Sequence, residues 1–269
     1  MTHWRRVLED AAESVSRAVA RTSPAERNRV LGVGASGDRT LVADRRAEDE
    51  LIRNLMQVGD ISILSEERGS LGSRDARYLA VLDPLDGSSN FSRGVPFFCT
   101  SIGILEGRRL CDAKYALVRD LVHGDSYFAE KGRGAWKNGE CIRSSKVTKV
   151  GRAVVGIDIS RSSPRAIGRL RHLLAAAYRQ VHLGANALEL CMVAEGRLDA
   201  FVDVRGKMRV TDLAAAYLIA NEAGVLVTDS DGQDLDPQVS LSSRFSFVAA
   251  PKTLQREILS LLNVNRGRP

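Results

Sequence analysis

The stretch from residue 82 to residue 91, LDPLDGSSNF, constrains this chain more than any other. Asp83 and Asp86 lie three residues apart around a proline, and small residues with free backbone N–H groups follow. Hard divalent cations prefer oxygen ligands such as carboxylates, and the first N–H groups of a helix favour anions. A helix starting after Asp86 would place a metal ion close to a phosphate held by the run Gly87-Ser88-Ser89. Asp-Pro and Asp-Gly are also turn dipeptides, so the stretch alone fits a tight turn equally well.

The composition is that of an ordinary globular protein, with 44% hydrophobic and 27% charged residues. No window approaches the 18 or so consecutive apolar residues that indicate a membrane span. The N-terminus lacks the apolar segment of a signal peptide. The four cysteines form no C-x-x-C pair, which indicates buried thiols in a reducing compartment rather than a disulfide framework or a zinc site. We therefore expect a cytoplasmic protein with no membrane partner.

The charge balance indicates a phosphorylated partner. The net charge is +6 and the pI is about 9.3, but the excess is spread along the chain and aromatic residues make up only 5%. A nucleic-acid surface concentrates its basic residues and interleaves aromatic ones. The charge therefore favours attraction of a small polyanionic substrate over nucleic-acid binding.

The pattern of residues 1–150 predicts an α+β lobe. Apolar residues recur at helical spacing between residues 4 and 19, with Thr2 as the candidate N-cap. A second helix is expected to begin at Asp44 or just after it. Strand patterns joined by short turns predict an antiparallel sheet in this half, with strands at residues 61–64, 78–82, 98–105, 110–118 and 126–129.

Two further features of this half are ambiguous. Glu66 and Glu67 follow the strand at 61–64, and alternation along a strand would send one to solvent and the other to the site. Residues 32–37 spell G-x-G-x-x-G, yet a polar run precedes them and Asp38-Arg39-Thr40 follows. A dinucleotide site needs a strand before this motif and a helix opening inside it, so we predict a mobile glycine-rich loop instead.

Residues 151–269 alternate between strand and helix patterns, which predicts an α/β lobe. A helix is expected from Asp212 to about Ala223, ended by Gly224. Further strands are predicted at residues 153–159, 180–183, 198–204, 225–228 and 245–249. Further helices are predicted after Ser163-Pro164 and at residues 185–194 and 251–262.

Three motifs, in order along the chain, resemble those of the inositol monophosphatase / fructose-1,6-bisphosphatase superfamily. They are Glu66-Glu67, the stretch at residues 83–91, and Val210-Thr211-Asp212 followed by Glu222-Ala223-Gly224. The segment at residues 184–190, GANALEL, also matches. The chain is most similar to archaeal-type members, which act as both kinds of phosphatase. This resemblance implies a layered αβαβα sugar-phosphatase fold, and a homodimer, since similar proteins are often dimers.

Carried over residue by residue, the resemblance implies two or three magnesium ions, with manganese as an alternative. Glu66, Asp83 and the Leu85 carbonyl would hold the first ion. Asp83, Asp86 and Asp212 would hold the second. Without metal, four carboxylates at one point would be prohibitively repulsive. Two cations bridged by a carboxylate can instead stabilise the attacking and leaving oxygens of an in-line displacement.

The same resemblance assigns roles to residues outside this ligand set. Asp44 and Ser88 match the pair that orients the attacking water, and Asp38 is a candidate ligand for a third, weaker ion. Serine at residue 88 resembles the fructose-bisphosphatases, because inositol monophosphatases usually carry threonine there. The expected substrate contacts are Gly87, Ser88 and Ser89 for the phosphate, Gly184 and Ala185 for the sugar, and Arg179 and Arg205 for a second phosphate.

The sequence thus predicts a metal-dependent sugar-phosphate phosphatase with an N-terminal lobe at 1–150 and a C-terminal lobe at 151–269. The lobes would face each other across a cleft, and Asp212 would complete the metal site. The preferred reaction is hydrolysis of the 1-phosphate of fructose 1,6-bisphosphate, with inositol 1-phosphate as a second substrate. Two alternatives stay open: a 3′(2′),5′-bisphosphate nucleotidase or NADP phosphatase, and a non-catalytic regulator that binds protein or RNA through this fold.

Overall fold

The computed structural model describes residues 3–264, so the predicted N-cap Thr2 lies outside the described residues. Over this part of the chain the backbone forms seven α-helices and fifteen β-strands in mixed order. The helices are α1 (His3–Ala20), α2 (Val42–Leu55), α3 (Ser88–Arg93), α4 (Pro164–Ala176), α5 (Asn186–Ala194), α6 (Val210–Glu222) and α7 (Lys252–Asn263). None of these helices is long and apolar enough to cross a lipid bilayer.

The strands form one two-stranded, one eight-stranded and one five-stranded sheet. They are β1 (Val30–Val33), β2 (Arg39–Leu41), β3 (Ile61–Ser65), β4 (Gly69–Leu71), β5 (Tyr78–Asp86), β6 (Cys99–Leu105), β7 (Ala113–Asp120), β8 (Ser126–Glu130), β9 (Gly134–Lys137), β10 (Glu140–Cys141), β11 (Val154–Ile157), β12 (Arg179–Val181), β13 (Ala200–Arg209), β14 (Leu226–Asp229) and β15 (Arg244–Ala250).

The eight-stranded sheet has the order β10-β9-β8-β7-β6-β5-β3-β4. Its neighbours are antiparallel, as predicted, except for the parallel pair β3 and β5. Parallel strands end at the same edge of a sheet. The turn after β3, which carries Glu66, therefore lies beside the end of β5, which carries Asp83 and Asp86.

The five-stranded sheet has the order β12-β11-β13-β15-β14. β11 runs parallel to both β12 and β13, whereas β15 runs antiparallel to β13 and β14. The crossovers through α4 and α5 are what parallel pairing requires. The α/β character predicted for this half is therefore confirmed.

The apolar side chains divide these elements into five layers. Helices α1 and α2 bury Leu8 and Leu51 against one face of the large sheet, which contributes Leu82. On the other face of the large sheet, Val81 belongs to one buried cluster with Leu190 of α5 and Ile219 of α6. The same cluster includes Phe201 and Phe247 from the near face of the smaller sheet. On the far face of that sheet, Val202 and Val248 form a separate cluster with Leu170 of α4 and Ile258 of α7. Helices α5 and α6 thus lie between the sheets, and α4 and α7 cover the far face. The predicted αβαβα architecture is confirmed.

The central helix layer joins the two sheets through one continuous core. Phe201 on β13 and Phe247 on β15 meet edge to face, with ring centroids 5.2 Å apart and an interplanar angle of 86°. Such a pair contributes about 0.5–1.5 kcal/mol beyond its buried area. Residue 150 falls after the last strand of the large sheet and before the first of the smaller one. The division into lobes at this residue stays a prediction.

The glycine-rich segment is a hairpin rather than the predicted loop. β1 and β2 pair antiparallel and form the two-stranded sheet, and the Gly34 N–H donates to the Asp38 carbonyl across the turn at 2.8 Å. A strand precedes the turn, but a second strand follows it instead of a helix. This topology agrees with our reading that the motif is not a dinucleotide site.

The cysteine prediction holds only in part. All four thiols are free, but only Cys99 and Cys191 are buried, whereas Cys111 and Cys141 are exposed. Cys111 lies in a short 3₁₀ turn and Cys141 lies on the edge strand β10, where a side chain can reach solvent.

Candidate active site

A cavity of about 890 Å³ collects most of the residues that the sequence singles out. Its wall includes the end of β5, the first turns of α2, α3 and α6, and the turn after β3. One group of lining residues is acidic: Asp38, Asp44, Glu66, Glu67, Asp83, Asp86 and Asp212. A second group comes from the smaller sheet and its loops: Asp158, Ser160, Arg161, His182, Arg205 and Lys207.

A β-bulge in β5 brings Asp83 and Asp86 to this wall. The pairing of β5 with β6 shifts register between these two residues, so the strand bends at Pro84, which has no N–H to offer the ladder. The Leu85 N–H donates to the Asp83 carboxylate at 3.1 Å, and the Ala187 N–H donates to Asp86 Oδ2 at 2.7 Å. The stretch is therefore both a turn and a cluster of buried carboxylates.

Asp44 and Asp212 occupy equivalent positions on two different helices. Both helices begin two residues before these aspartates, so each is the third residue of its helix and neither is an N-cap. The Leu41 N–H donates to Asp44 Oδ2 at 2.6 Å. Thr211 Oγ1 and Asn186 Nδ2 contact the two oxygens of Asp212 at 3.1 and 3.3 Å. The positive end of each helix favours a carboxylate in this first turn.

Glu66 and Glu67 both point inward, which corrects the expectation that one would face solvent. They lie in a turn after β3, where strand alternation does not apply. The Thr40 hydroxyl donates to Glu67 Oε2, and Glu67 is only 9% exposed. Ser36 Oγ donates to Glu66 Oε1 at 3.3 Å. Glu67 thus anchors the β1–β2 hairpin, and Glu66 is left at the cavity.

Three of these carboxylates meet closely enough to share an ion. One oxygen each from Glu66, Asp83 and Asp212 lies within 4.8 Å of the others. Burial, followed by repulsion from neighbouring carboxylates, raises the pKa of Glu66 and Asp83 well above the ordinary range. Burial also raises the pKa of Asp86 to about 8 and that of Asp44 to about 7.

This donor set fits a hard divalent cation. It offers only oxygen, with no buried thiol or imidazole among the three clustered residues, and magnesium, calcium and manganese prefer such ligands. Leu85 lines the same cavity, so its backbone is available beside the cluster. A bound cation would offset both the burial and the mutual repulsion that raise the pKa of Glu66 and Asp83.

Asp38 is linked to Glu66 by Arg209, a residue that the sequence analysis did not single out. Arg209 ends β13 and pairs with Glu66 through one guanidinium nitrogen and with Asp38 through another. Its side chain is only 18% exposed. Asp38 therefore lies next to Glu66, with Arg209 between them, and its role as a weak metal ligand stays a prediction.

Most of the predicted contacts to the phosphate and the sugar lie at the cavity. Gly87, Ser88, Ser89 and Gly184 line the cavity. Ala185 is fully buried behind it, and a Cβ on Gly87 would come within 3.1 Å of the Ala185 methyl group. With φ at +86° as well, residue 87 suits glycine alone.

Of the two predicted arginines, Arg179 lies outside the cavity wall and Arg205 lies in it with its guanidinium paired. Arg179 lies exposed on the edge strand β12 and is not part of the cavity wall, so its predicted contact is not supported. Arg205 lines the wall, but it pairs with Asp158 and Asp203 and donates to the Ser160 carbonyl at 3.0 Å. Its charge neutralises protein carboxylates, which a sequence pattern does not reveal.

Several lining residues were missed by sequence reasoning. They are Arg161, His182, Asn186, Lys207 and Arg209. Asn186 lies within the segment 184–190 and Arg209 directly precedes the motif at Val210, so their position was a usable signal. Arg161 and Lys207 come together only through the fold, where Lys207 Nζ donates to the Arg161 carbonyl at 2.6 Å.

The comparisons with known proteins agree with this geometry. Residues 1–265 match the model of the Inositol monophosphatase family. The chain belongs to this family. It is 34% identical to the fructose-1,6-bisphosphatase/inositol-1-monophosphatase of Methanothermobacter thermautotrophicus, and the match covers 97% of each chain.

Two other relatives extend the comparison. A solved structure of an inositol monophosphatase-fructose 1,6 bisphosphatase superposes with a TM-score of 0.86 at 30% identity, covering 97% of this chain and all of that one. The bifunctional NADP phosphatase/NAD kinase of Methanococcus maripaludis is 32% identical over 90% of this chain, which spans only 45% of that protein. The resemblance drawn from the three motifs is thereby confirmed.

The raised pKa values predict how stability depends on pH when metal is removed. Folded Asp86 titrates at about 8, whereas the ordinary value is 3.8. Folding therefore favours the protonated form, and the free energy of unfolding is highest below about pH 4 and decreases as pH rises to about 8. In chelator, we expect Tm to fall by roughly 5 °C between about pH 5 and pH 8.

Calorimetric melts across this range, with chelator or with magnesium, would measure the effect. Magnesium should abolish most of the decrease, because it binds the deprotonated carboxylates of the folded chain only. Equal pH slopes in both conditions would contradict the assignment of this cluster as a metal site.

Replacing Asp212 separates a metal ligand from a helix-stabilising residue. We expect Asp212→Asn to lower metal-dependent turnover roughly 100-fold or more, because the amide lacks the charge that holds a divalent cation. In chelator its Tm should stay the same or rise, since one repelling carboxylate is gone. A variant with full activity would remove Asp212 from the site.

Proposed function

We propose that this protein is a magnesium-dependent phosphatase that removes the 1-phosphate of fructose 1,6-bisphosphate and also accepts inositol 1-phosphate. The observation that carries the proposal is the trio Glu66, Asp83 and Asp212, whose oxygens lie within 4.8 Å of one another in a substrate-sized cavity. Asp86 would join the second of two ions, and Asp38 would serve a third. Manganese could replace magnesium, since both prefer oxygen ligands.

The residues around the cluster support the chemistry of phosphate hydrolysis. Bound magnesium supplies positive charge to the phosphate oxygens and lowers the pKa of water. Asp44, with a pKa near 7, can take the proton of the attacking water close to neutral pH. Its Oδ2 is fixed by the Leu41 N–H, which leaves Oδ1 for this task. Ser88 begins α3 at the cavity, where its hydroxyl can orient the same water.

The second phosphate of a bisphosphate has cationic partners in the cavity wall. Arg161 and Lys207 both line it, and both are exposed to solvent. Arg161 has φ of +54°, a left-handed conformation that costs about 1–2 kcal/mol in a residue with a Cβ. Strained backbone of this kind clusters at functional sites. These two residues replace Arg179 and Arg205 as the proposed distal phosphate contacts.

A second candidate function is hydrolysis of a phosphorylated nucleotide such as NADP or a 3′(2′),5′-bisphosphate. The cavity volume of about 890 Å³ is large enough for a ligand bigger than a hexose bisphosphate. The relative named as an NADP phosphatase/NAD kinase gives this candidate further support. Both candidate activities need the same carboxylates. They differ in whether the rest of the cavity wall contacts a sugar phosphate or a nucleotide.

A homodimer and a cytoplasmic location accompany the proposal as predictions. So does the arrangement of two lobes, residues 1–150 and 151–269, around a cleft that Asp212 completes. The homodimer rests on the resemblance to related enzymes, and the location rests on cysteine usage and composition.

Phosphate release from a substrate panel tests the proposed function. With magnesium, we expect the highest kcat/KM on fructose 1,6-bisphosphate, lower values on inositol 1-phosphate, and the lowest on NADP. Chelator, or the variant Asp83→Asn, should abolish release from all three. A preference for NADP would support the second candidate. No release from any phosphate ester with magnesium would contradict a phosphatase and favour the regulator alternative.

Variants at Arg161 and Lys207 test their proposed contact with the second phosphate, and Arg179 provides a matched arginine control. We expect Lys207→Met and Arg161→Met each to raise KM for fructose 1,6-bisphosphate about tenfold, the loss of a charge-assisted hydrogen bond. KM for inositol 1-phosphate should stay within about twofold, because that substrate has no second phosphate.

Arg179→Met removes the same charge outside the cavity, so it should leave both KM values unchanged. Equal losses on both substrates would mean that Arg161 and Lys207 act on the shared phosphate or on the fold instead.

A further inference from the structure

One buried carboxylate near the cavity is used by none of the chemistry above. Glu189 lies in the first turn of α5 and is fully buried. Its Oε1 accepts hydrogen bonds from the Leu183 N–H at 3.1 Å and from the Gly184 N–H at 2.9 Å. Among the described residues, no group donates to its Oε2. Burying a carboxylate is costly, so this one calls for an explanation.

The turn that Glu189 binds is held from its other side as well. Asn90 Nδ2 donates to the Leu183 carbonyl at 2.7 Å and to the Phe97 carbonyl at 2.8 Å. A Cβ on Gly184 would lie 3.2 Å from Asn90 Nδ2, and φ there is +84°. Leu183 and Gly184 are therefore clamped between α3 and α5, with both N–H groups and one carbonyl fixed.

This clamped turn connects the two groups of residues that line the cavity. On its N-terminal side, His182 Nε2 lies 2.8 Å from Ser160 Oγ, next to Arg161 in the chain. On its C-terminal side, Asn186 donates to Asp212 and the Ala187 N–H donates to Asp86. A shift of the turn would move His182, which contacts Ser160, relative to Asn186 and Ala187, which contact Asp212 and Asp86.

We propose that Glu189 is a positioning residue that fixes the Leu183–Gly184 turn and thereby sets the spacing between the two parts of the cavity. It touches no reacting atom. A substrate held at both places, such as a bisphosphate, depends on this spacing, whereas a monophosphate held only at the carboxylates depends on it much less. The substrate consequence rests on the proposed function, but the positioning itself does not.

Variants at residue 189 separate hydrogen bonding from packing. Glu189→Met keeps the size and removes the acceptor, and Glu189→Asp keeps the charge but retracts the acceptor by one methylene. We expect both to raise amide hydrogen exchange at Leu183 and Gly184 at least about tenfold, because the bonds that protect these amides are lost. Glu189→Gln keeps an acceptor oxygen and should stay within about threefold of the wild type.

The kinetic readout follows the same variants. KM for fructose 1,6-bisphosphate should rise about tenfold in Glu189→Met. KM for inositol 1-phosphate should change less than about threefold, and so should kcat on either substrate. Glu189→Asp should show the same pattern, which keeps the test valid if the methionine variant folds poorly.

Gln255 provides a matched control. It is also helix-borne and only 2% exposed, and its Nε2 donates to the Leu226 and Val248 carbonyls, away from the cavity wall. Gln255→Met should lower Tm without changing KM or exchange at Leu183 and Gly184.

The outcomes distinguish the two proposals. Unchanged exchange at Leu183 and Gly184 in both Glu189→Met and Glu189→Asp would overturn the positioning role. An equal rise of KM in Gln255→Met would also overturn it, by assigning the effect to global stability. If the wild type hydrolyses neither substrate, the proposed function fails while the exchange measurement still decides the role of Glu189.

Discussion

The repulsion among buried carboxylates is the constraint on which the rest of this structure depends. Asp83, Asp86 and Asp212 converge with Glu66 at one wall, and burial disfavours the charge on each of them. The fold tolerates this because each carboxylate accepts hydrogen bonds from a backbone N–H, a neutral side chain or, for Glu66, the Arg209 guanidinium. Asp86 is tied to the Ala187 N–H, and Asp212 is tied to Asn186. A bound cation would offset the repulsion that remains.

Convergence is achieved by the layered architecture and not by any single motif. The large sheet carries Glu66, Asp83 and Asp86 at one edge, since β3 and β5 are parallel neighbours. Helices α5 and α6 lie between the sheets, so their first turns bring Asn186 and Asp212 to the same edge. The apolar core of this middle layer therefore positions the polar site, and its packing is as much a requirement of the site as the carboxylates themselves.

The sequence reveals local features of the site well and long-range ones poorly. The Asp83–Asp86 bulge is encoded within the five residues from Asp83 to Gly87, because proline cannot donate to the strand ladder and glycine follows at once. The sequence predicts helix starts at or just after Asp44 and at Asp212, whereas both helices begin two residues before these aspartates, since an aspartate near a helix start suits both the N-cap and the third position. Periodicity alone does not separate these two positions.

The predictions for Glu67 and for the glycine-rich segment were wrong because long-range contacts decide both. Glu67 turned inward because Thr40, far away in the chain, binds it. The G-x-G-x-x-G segment formed a hairpin because its turn docks on residues 66 and 67, where the Ala35 and Ser36 N–H groups donate to their carbonyls at 2.9 and 3.0 Å. The pairing of Arg205 with Asp158 and Asp203 is likewise a tertiary contact that its neighbours in sequence do not reveal. Tertiary partners decided each of these positions.

The ion pairs of Arg205 also explain why the cavity wall has a cationic region beside an acidic one. Its guanidinium pairs with Asp158 and Asp203, so these carboxylates add less negative charge to the part of the wall that contains Arg161 and Lys207. Arg161 and Lys207 then remain there as exposed cations, in a different part of the wall from the carboxylate cluster. Under the proposed function, a ligand with two phosphates would meet cations at both places in the metal-loaded protein, whereas a single phosphate could use only one of them. The separation of charge within the wall, more than the net charge of +6, is what would orient the substrate.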